Sequence, residues 1–214
     1  MKPFLIINFK TYKQATGPAA LKLAKICVRA RKKARIMVAP QTTDLLLLKY
    51  IRIPVFAQHL DYHEQGRNTG KILPEAAKQV GIKGTFVNHS ENPLEIEEIK
   101  KTIERCKKLK LLTLVCVPSI PIAKRVMKFK PWAIAYEIPE LVATGKSITK
   151  IRPEKVKQFS KLFKNSKIIP LCGAGISARE DMKQAINLGC KGVLVASALV
   201  KAKNQEKFLE ELLR

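Results

Sequence analysis

Acidic residues are scarce in this chain. Seventeen Asp and Glu stand against 41 Lys and Arg in 214 residues, a formal net charge of +24. A field of that sign draws anions, whether nucleic acid or a small phosphorylated molecule. Most lysines have no acidic partner to hand, which weakens an account based on heat-adapted ion-pair networks. The basic residues form no single block. Lys22, Lys25, Arg29, Arg31, Lys32 and Lys33 are spread through one helical pattern, as on a solvated outer face. No apolar run approaches the ~20 residues of a membrane span, and no signal-peptide pattern precedes the first strand-like run. The five cysteines, at 27, 106, 116, 172 and 190, are odd in number and scattered, with no Cys-x-x-Cys pair. That argues against a disulfide framework or zinc site and points to a reduced, cytoplasmic setting. No Ser- or Gly-rich linker divides the chain, so one domain over residues 1–214 is expected. Aromatics number thirteen (one Trp, four Tyr, eight Phe), several inside strand-like runs. Few are therefore free to stack bases, and no specific nucleic-acid role is expected.

Against these absences stand eight short apolar runs, the signature of strands buried on both faces. They cover residues 4–9, 35–39, 55–59, 84–88, 112–117, 133–136, 167–171 and 192–196. Helical patterns fall between them, most clearly at 19–33, 93–108, 152–164 and 178–188, with a short one at 74–80 and a closing one at 206–213. Strand–helix alternation implies a parallel sheet. Eight units suit a closed (β/α)8 barrel, leaner than the ~250 residues typical of that fold. Active sites of such barrels lie at the C-terminal ends of the strands. Asn8, Lys10, His89, Glu137 and Gly173 all fall at those ends.

Each of these residues has an ordinary structural use. A strand-end Glu can cap a helix, a lone His can bond to backbone, and Gly173-Ala-Gly175 can be a tight turn. Their surroundings narrow the choice. The segments Asn8-Phe-Lys10, Asn88-His89-Ser-Glu91, Ala135-Tyr-Glu137, Cys172-Gly-Ala-Gly-Ile176 and Val195-Ala-Ser-Ala-Leu199 stand in one order from the first strand to the last. In that order they resemble the triosephosphate isomerase family, and the shorter archaeal branch of it most.

The resemblance implies a single TIM barrel that interconverts dihydroxyacetone phosphate and D-glyceraldehyde 3-phosphate without a cofactor or metal. Glu137 matches the family's base, which removes a proton beside a carbonyl. His89 matches the electrophile that stabilises the enediolate oxygen in its neutral form, a standard worked case for this family. Lys10, with Asn8 beside it, matches the lysine that binds the phosphorylated substrate and offsets developing charge. Glu91 resembles the carboxylate that orients this lysine. The backbone amides of Gly175, Ala196 and Ser197, with Gly173 in the same turn, would hold the phosphate. Residues 138–146, from Ile138 through Ala143, resemble the closing lid. The loop at 61–70, with Thr69 at its tip, resembles the one that enters a neighbouring subunit, so a homodimer or homotetramer is expected. Two positions depart from the family: Ala143 stands where much of it has glycine, and Ala198 where the shorter branch has glycine. Another phosphate-binding barrel would share Gly173–Gly175 but has no need of Asn-His-Ser-Glu together with Ala-Tyr-Glu. A nucleic-acid-binding barrel would account for the charge but not for these segments.

Overall fold

The computed structural model describes residues 2–141 and 147–214. Its strands are β1 (Phe4–Asn8), β2 (Arg35–Ala39), β3 (Phe56–Ala57), β4 (Gly84–Val87), β5 (Leu112–Val117), β6 (Ala133–Tyr136), β7 (Ile169–Cys172) and β8 (Gly192–Val195). They pair in parallel in the order β2-β1-β8-β7-β6-β5-β4-β3. A single bridge, Val38 to Val55, joins the two ends of that series and closes the barrel. Around it run α1 (Pro18–Ala30), α2 (Pro74–Val80), α3 (Ile96–Lys108), α4 (Ile120–Met127), α5 (Ile148–Ile151), α6 (Pro153–Lys161), α7 (Arg179–Asn187), α8 (Ser197–Val200) and α9 (Gln205–Leu212). This is the expected (β/α)8 architecture.

The strands read as unbroken apolar runs because both of their faces are buried. In β1, Phe4 and Ile6 pack inside the barrel with Phe56, Phe86, Leu114 and Leu171, while Leu5, Ile7 and Phe9 pack outward under the helices. Alternation of period two then decides what reaches the mouth. Ala133 and Ala135 point inward, and Glu137 continues their parity just past the strand end.

Several boundaries differ from the sequence expectation, each for a local reason. The helix expected from residue 93 starts at Ile96, because Glu95 and Glu98 form a capping box there and the Leu94 N–H is taken by Asn88 Oδ1 at 2.9 Å. The helix expected from 152 is α6, set off from the one-turn α5 by Arg152. Pro153 follows Arg152, which leaves the helical region at φ −136, ψ 50. α4 is a further helix, too short for its period to stand out, started by Ser119 and carrying Pro121 in its first turn. β3 is two residues long rather than five. Beyond it the Gln58 side chain takes over, donating from Nε2 to the carbonyls of Lys10 (2.9 Å) and Ala39 (3.0 Å).

Candidate active site

One cavity at the C-terminal end of the strands is lined by Asn8, Lys10, His89, Glu137, Gly175, Ala196 and Ser197. Those are seven of the residues the sequence singles out. Two of them arrive through left-handed backbone. β1 pairing ends at Asn8, and Lys10 adopts φ 49, with its N–H donated to Asn8 Oδ1 at 2.9 Å. Asn88 adopts φ 59, a conformation asparagine tolerates better than most residues. Its amide donates to the Cys116 carbonyl at 2.9 Å while its Oδ1 accepts from Leu94. This turn swings His89 into the mouth, although Val87, two residues earlier, packs outward.

The ionisable groups face one another across the cavity. Lys10, only 8% exposed, places Nζ 2.5 Å from Glu91 Oε1. His89 Nδ1 accepts the Glu91 backbone N–H at 3.2 Å. With that lone pair engaged, the ring proton of the neutral imidazole belongs on Nε2. Nε2 in turn lies 3.8 Å from Glu137 Oε2. Glu137 is 6% exposed, and its Oε2 has no hydrogen-bond partner among the described residues. A buried carboxylate oxygen left free in a cavity is poised to accept a proton.

Three neighbours of Glu137 escaped the sequence reading or were read for another purpose. Burial, and after it the carboxylate of Glu137 itself, hold the Cys116 thiol well above its ordinary range. Cys116 is therefore a protonated thiol beside the Glu137 carboxylate. Gly173 is absent from the cavity lining and instead abuts the carboxylate: a Cβ there would sit 2.6 Å from Glu137 Oε1. Ser90 Oγ is buried without a partner among the described residues and shares a small adjoining cavity with Glu137 and Pro139. Of the remaining expectations, Ile138 is half-buried against the outer core and Thr69 is exposed. Ala143 and the rest of the expected lid at 142–146 lie outside the described residues.

The turn after β7 is strained. Ala174 adopts φ 69 and Gly175 φ 71; the first costs on the order of 1 kcal/mol for a residue with a Cβ. The strain is held in place from both sides. The Ala174 carbonyl accepts the Ile148 N–H at 3.2 Å. Past the turn, Asp181 Oδ2 accepts the N–H groups of Ser177 and Ala178, both at 3.0 Å, and Asp181 Oδ1 pairs with Lys150 Nζ at 3.0 Å. Burial alone would raise the Asp181 carboxyl. The Ser177 N–H, the Lys150 ammonium and the Ala178 N–H together hold it below its ordinary value. The folded chain thus binds this proton less readily than the unfolded chain. The stabilisation is complete above pH ~4 and is lost as pH falls through the lower folded value. Thermal melts from about pH 6 to pH 3 should show a falling midpoint, with a shallower fall in Asp181→Asn. Equal slopes in the two proteins would remove Asp181 from the acid response.

The family model described as triosephosphate isomerase matches residues 3–212, spanning every strand and all the site residues. The chain belongs to the triosephosphate isomerase family. Relatives bearing the name triosephosphate isomerase come from archaea and match end to end. That of Methanocaldococcus jannaschii is 43% identical over 98% of this chain and 98% of its own length. That of Methanothermus fervidus is 41% identical over 99% and 98%, and that of Methanobrevibacter smithii 41% identical over 98% and 97%. Within this triosephosphate isomerase fold, no described helix is long and apolar enough to cross a membrane.

Proposed function

We propose that the protein interconverts dihydroxyacetone phosphate and D-glyceraldehyde 3-phosphate by proton transfer through an enediolate. The observation that carries this reading is the Nε2–Oε2 approach of His89 and Glu137 at 3.8 Å inside a cavity that Lys10 also lines. In the proposed reaction, Glu137 removes a proton from the carbon beside the carbonyl. His89 Nε2–H donates to the oxygen where negative charge develops. The ammonium of Lys10, fixed by Glu91, stabilises that same charge and the substrate's phosphate. The phosphate is read as held by the backbone N–H groups of Gly175, Ala196 and Ser197. Ala196 turns the chain at φ −134, ψ −100 into α8, whose first amides have no intrahelical partners. Proton return to the neighbouring carbon completes the isomerisation with no net redox change, so no cofactor enters the scheme.

The reading extends to the setting. All five cysteines are free and buried, and burial pushes Cys27 and Cys106 up to about 12, as suits stable thiols in a reducing cytoplasm. We read the assembly as at least a homodimer. Leu46, Leu47 and Tyr50 support it, being 65%, 43% and 87% exposed within a short segment.

Two measurements test the proposal. Isomerisation of glyceraldehyde 3-phosphate, coupled to a dehydrogenase that consumes dihydroxyacetone phosphate, should proceed in the wild type and vanish in Glu137→Ala. An inactive but folded and assembled wild type would overturn the assignment. The positive field should also steer a dianionic substrate, so kcat/KM is expected to fall as salt rises above about 0.1 M. Viscosity dependence run alongside shows whether encounter limits the rate. A rate that responds to viscosity and ignores salt would dismiss steering.

A further inference from the structure

Opposite the catalytic cavity, at the N-terminal ends of the strands, lies a groove of about 590 Å³ between β7, β8 and the ends of α6 and α7. Arg35, Lys157, Lys161, Lys164, Lys167 and Lys191 line it, and no carboxylate does. None of these six cations forms an ion pair among the described residues, whereas Lys10, Arg29, Lys71, Arg105 and Lys150 all do. The lysines at the end of α6 could be explained as balancing the negative end of that helix. That account does not reach the other three. Arg35 begins β2, Lys167 precedes β7 and Lys191 precedes β8, so separate elements deliver unneutralised charge to one concavity.

We infer that this groove is a binding site for a small oligophosphate, read through its phosphate chain and separate from the isomerase site. Its volume suits one compact molecule, within the range of ordinary ligand pockets. Lysines engage phosphate as point charges, and an arginine adds a bidentate fork. The groove offers no open ring for a base: its two aromatics, Phe4 and Phe163, are 6% and 5% exposed, and Phe4 already carries the Arg35 guanidinium 5.1 Å from its centroid. Stacking, on which binding of single-stranded nucleic acid depends, therefore has no platform here. The ligand could be a free polyphosphate or the tail of a nucleoside triphosphate, since both present the same chain.

Calorimetric titration with tripolyphosphate and with ATP tests the assignment. Both are expected to bind the wild type with similar affinity. The triple variant Lys161→Glu/Lys164→Glu/Lys167→Glu should weaken both by roughly tenfold or more and leave kcat/KM for triose phosphate within about twofold of wild type. These side chains are exposed, so the fold should survive. The control Lys22→Glu/Lys25→Glu/Lys32→Glu makes the same charge change on α1 and the turn after it, and should weaken binding by less than about threefold. Equal losses in the two variants would reduce the effect to bulk charge and overturn the site. Binding of ATP without tripolyphosphate would overturn recognition through the chain. A single-stranded oligonucleotide held far more tightly than tripolyphosphate, and released by the groove variant, would reassign the groove to nucleic acid.

Discussion

Glu137→Asp is expected to lower kcat on the order of 100-fold or more while the barrel stays folded. The shorter side chain withdraws the carboxylate by about one C–C bond, and misplacements near 1 Å can cost ~10²-fold. Both side chains end in the same carboxyl group, so the loss would report position rather than chemistry. The backbone around the base is well held: the Glu137 N–H donates to the Val117 carbonyl at 3.1 Å, and the next strand pairs Tyr136 with Cys172. The aspartate therefore has no easy route to advance into the gap. The measurement is kcat with KM and melting temperature on the same preparation. Near-normal kcat would remove Glu137 as the base, whatever the melting temperature.

The second large effect is expected at a residue with no ionisable group. Gly173→Ala places a methyl 2.6 Å from Glu137 Oε1 and 3.1 Å from its Cδ and Cγ. Such an approach cannot stand, and what yields is the end of a flexible side chain rather than backbone. The fold should therefore survive, with the carboxylate pushed off its position. A displacement near 1 Å again implies a loss of about 10²-fold in kcat, with the melting temperature little changed. Gly173 thus acts as a positioning residue, so binding offers a useful contrast. KM should move far less than kcat, because the phosphate contacts assigned to Gly175, Ala196 and Ser197 lie farther along the chain. Activity within about twofold of wild type would mean that the carboxylate does not occupy this place during turnover.

These two positions differ in how legible they were. Glu137 stood out as a strand-end charge, but a helix-capping glutamate would look the same without the family segments around it; in the fold it follows the inward parity of Ala133 and Ala135, and that rule delivers it to the mouth. The same rule serves Asn8. It fails for His89, whose parity follows the outward-packed Val87. Only the left-handed φ at Asn88 turns it inward, and only the tetrapeptide Asn-His-Ser-Glu hinted at that. For Gly173 the turn was legible but the purpose was not. Its contact with Glu137 depends on the β6–β7 register, a long-range pairing that no local pattern encodes. The place of Cys116 beside the Glu137 carboxylate rests likewise on the pairing of β5 with β6. Helix starts were misplaced where a side chain, rather than periodicity, set the boundary, as Glu95 does for α3. The basic residues read correctly as dispersed along the sequence, yet six of them meet in space because strand starts and helix ends gather at one face of a barrel.

The closure of the barrel has a consequence for how the molecule opens. Between β2 and β3 the ladder is one bridge, Val38 to Val55, with the Val38 N–H donating to the Pro54 carbonyl at 3.2 Å. The Gln58 side chain adds a link across this seam to the Ala39 carbonyl and reaches on to the Lys10 carbonyl after β1. By contrast, β1 and β2 pair over five residues. Amide hydrogen exchange should therefore be faster along the β2–β3 seam than between β1 and β2, with local opening there preceding global unfolding. Such an opening would free the Lys10 carbonyl first, so the earliest breach of the fold would begin beside the cation that faces the catalytic cavity.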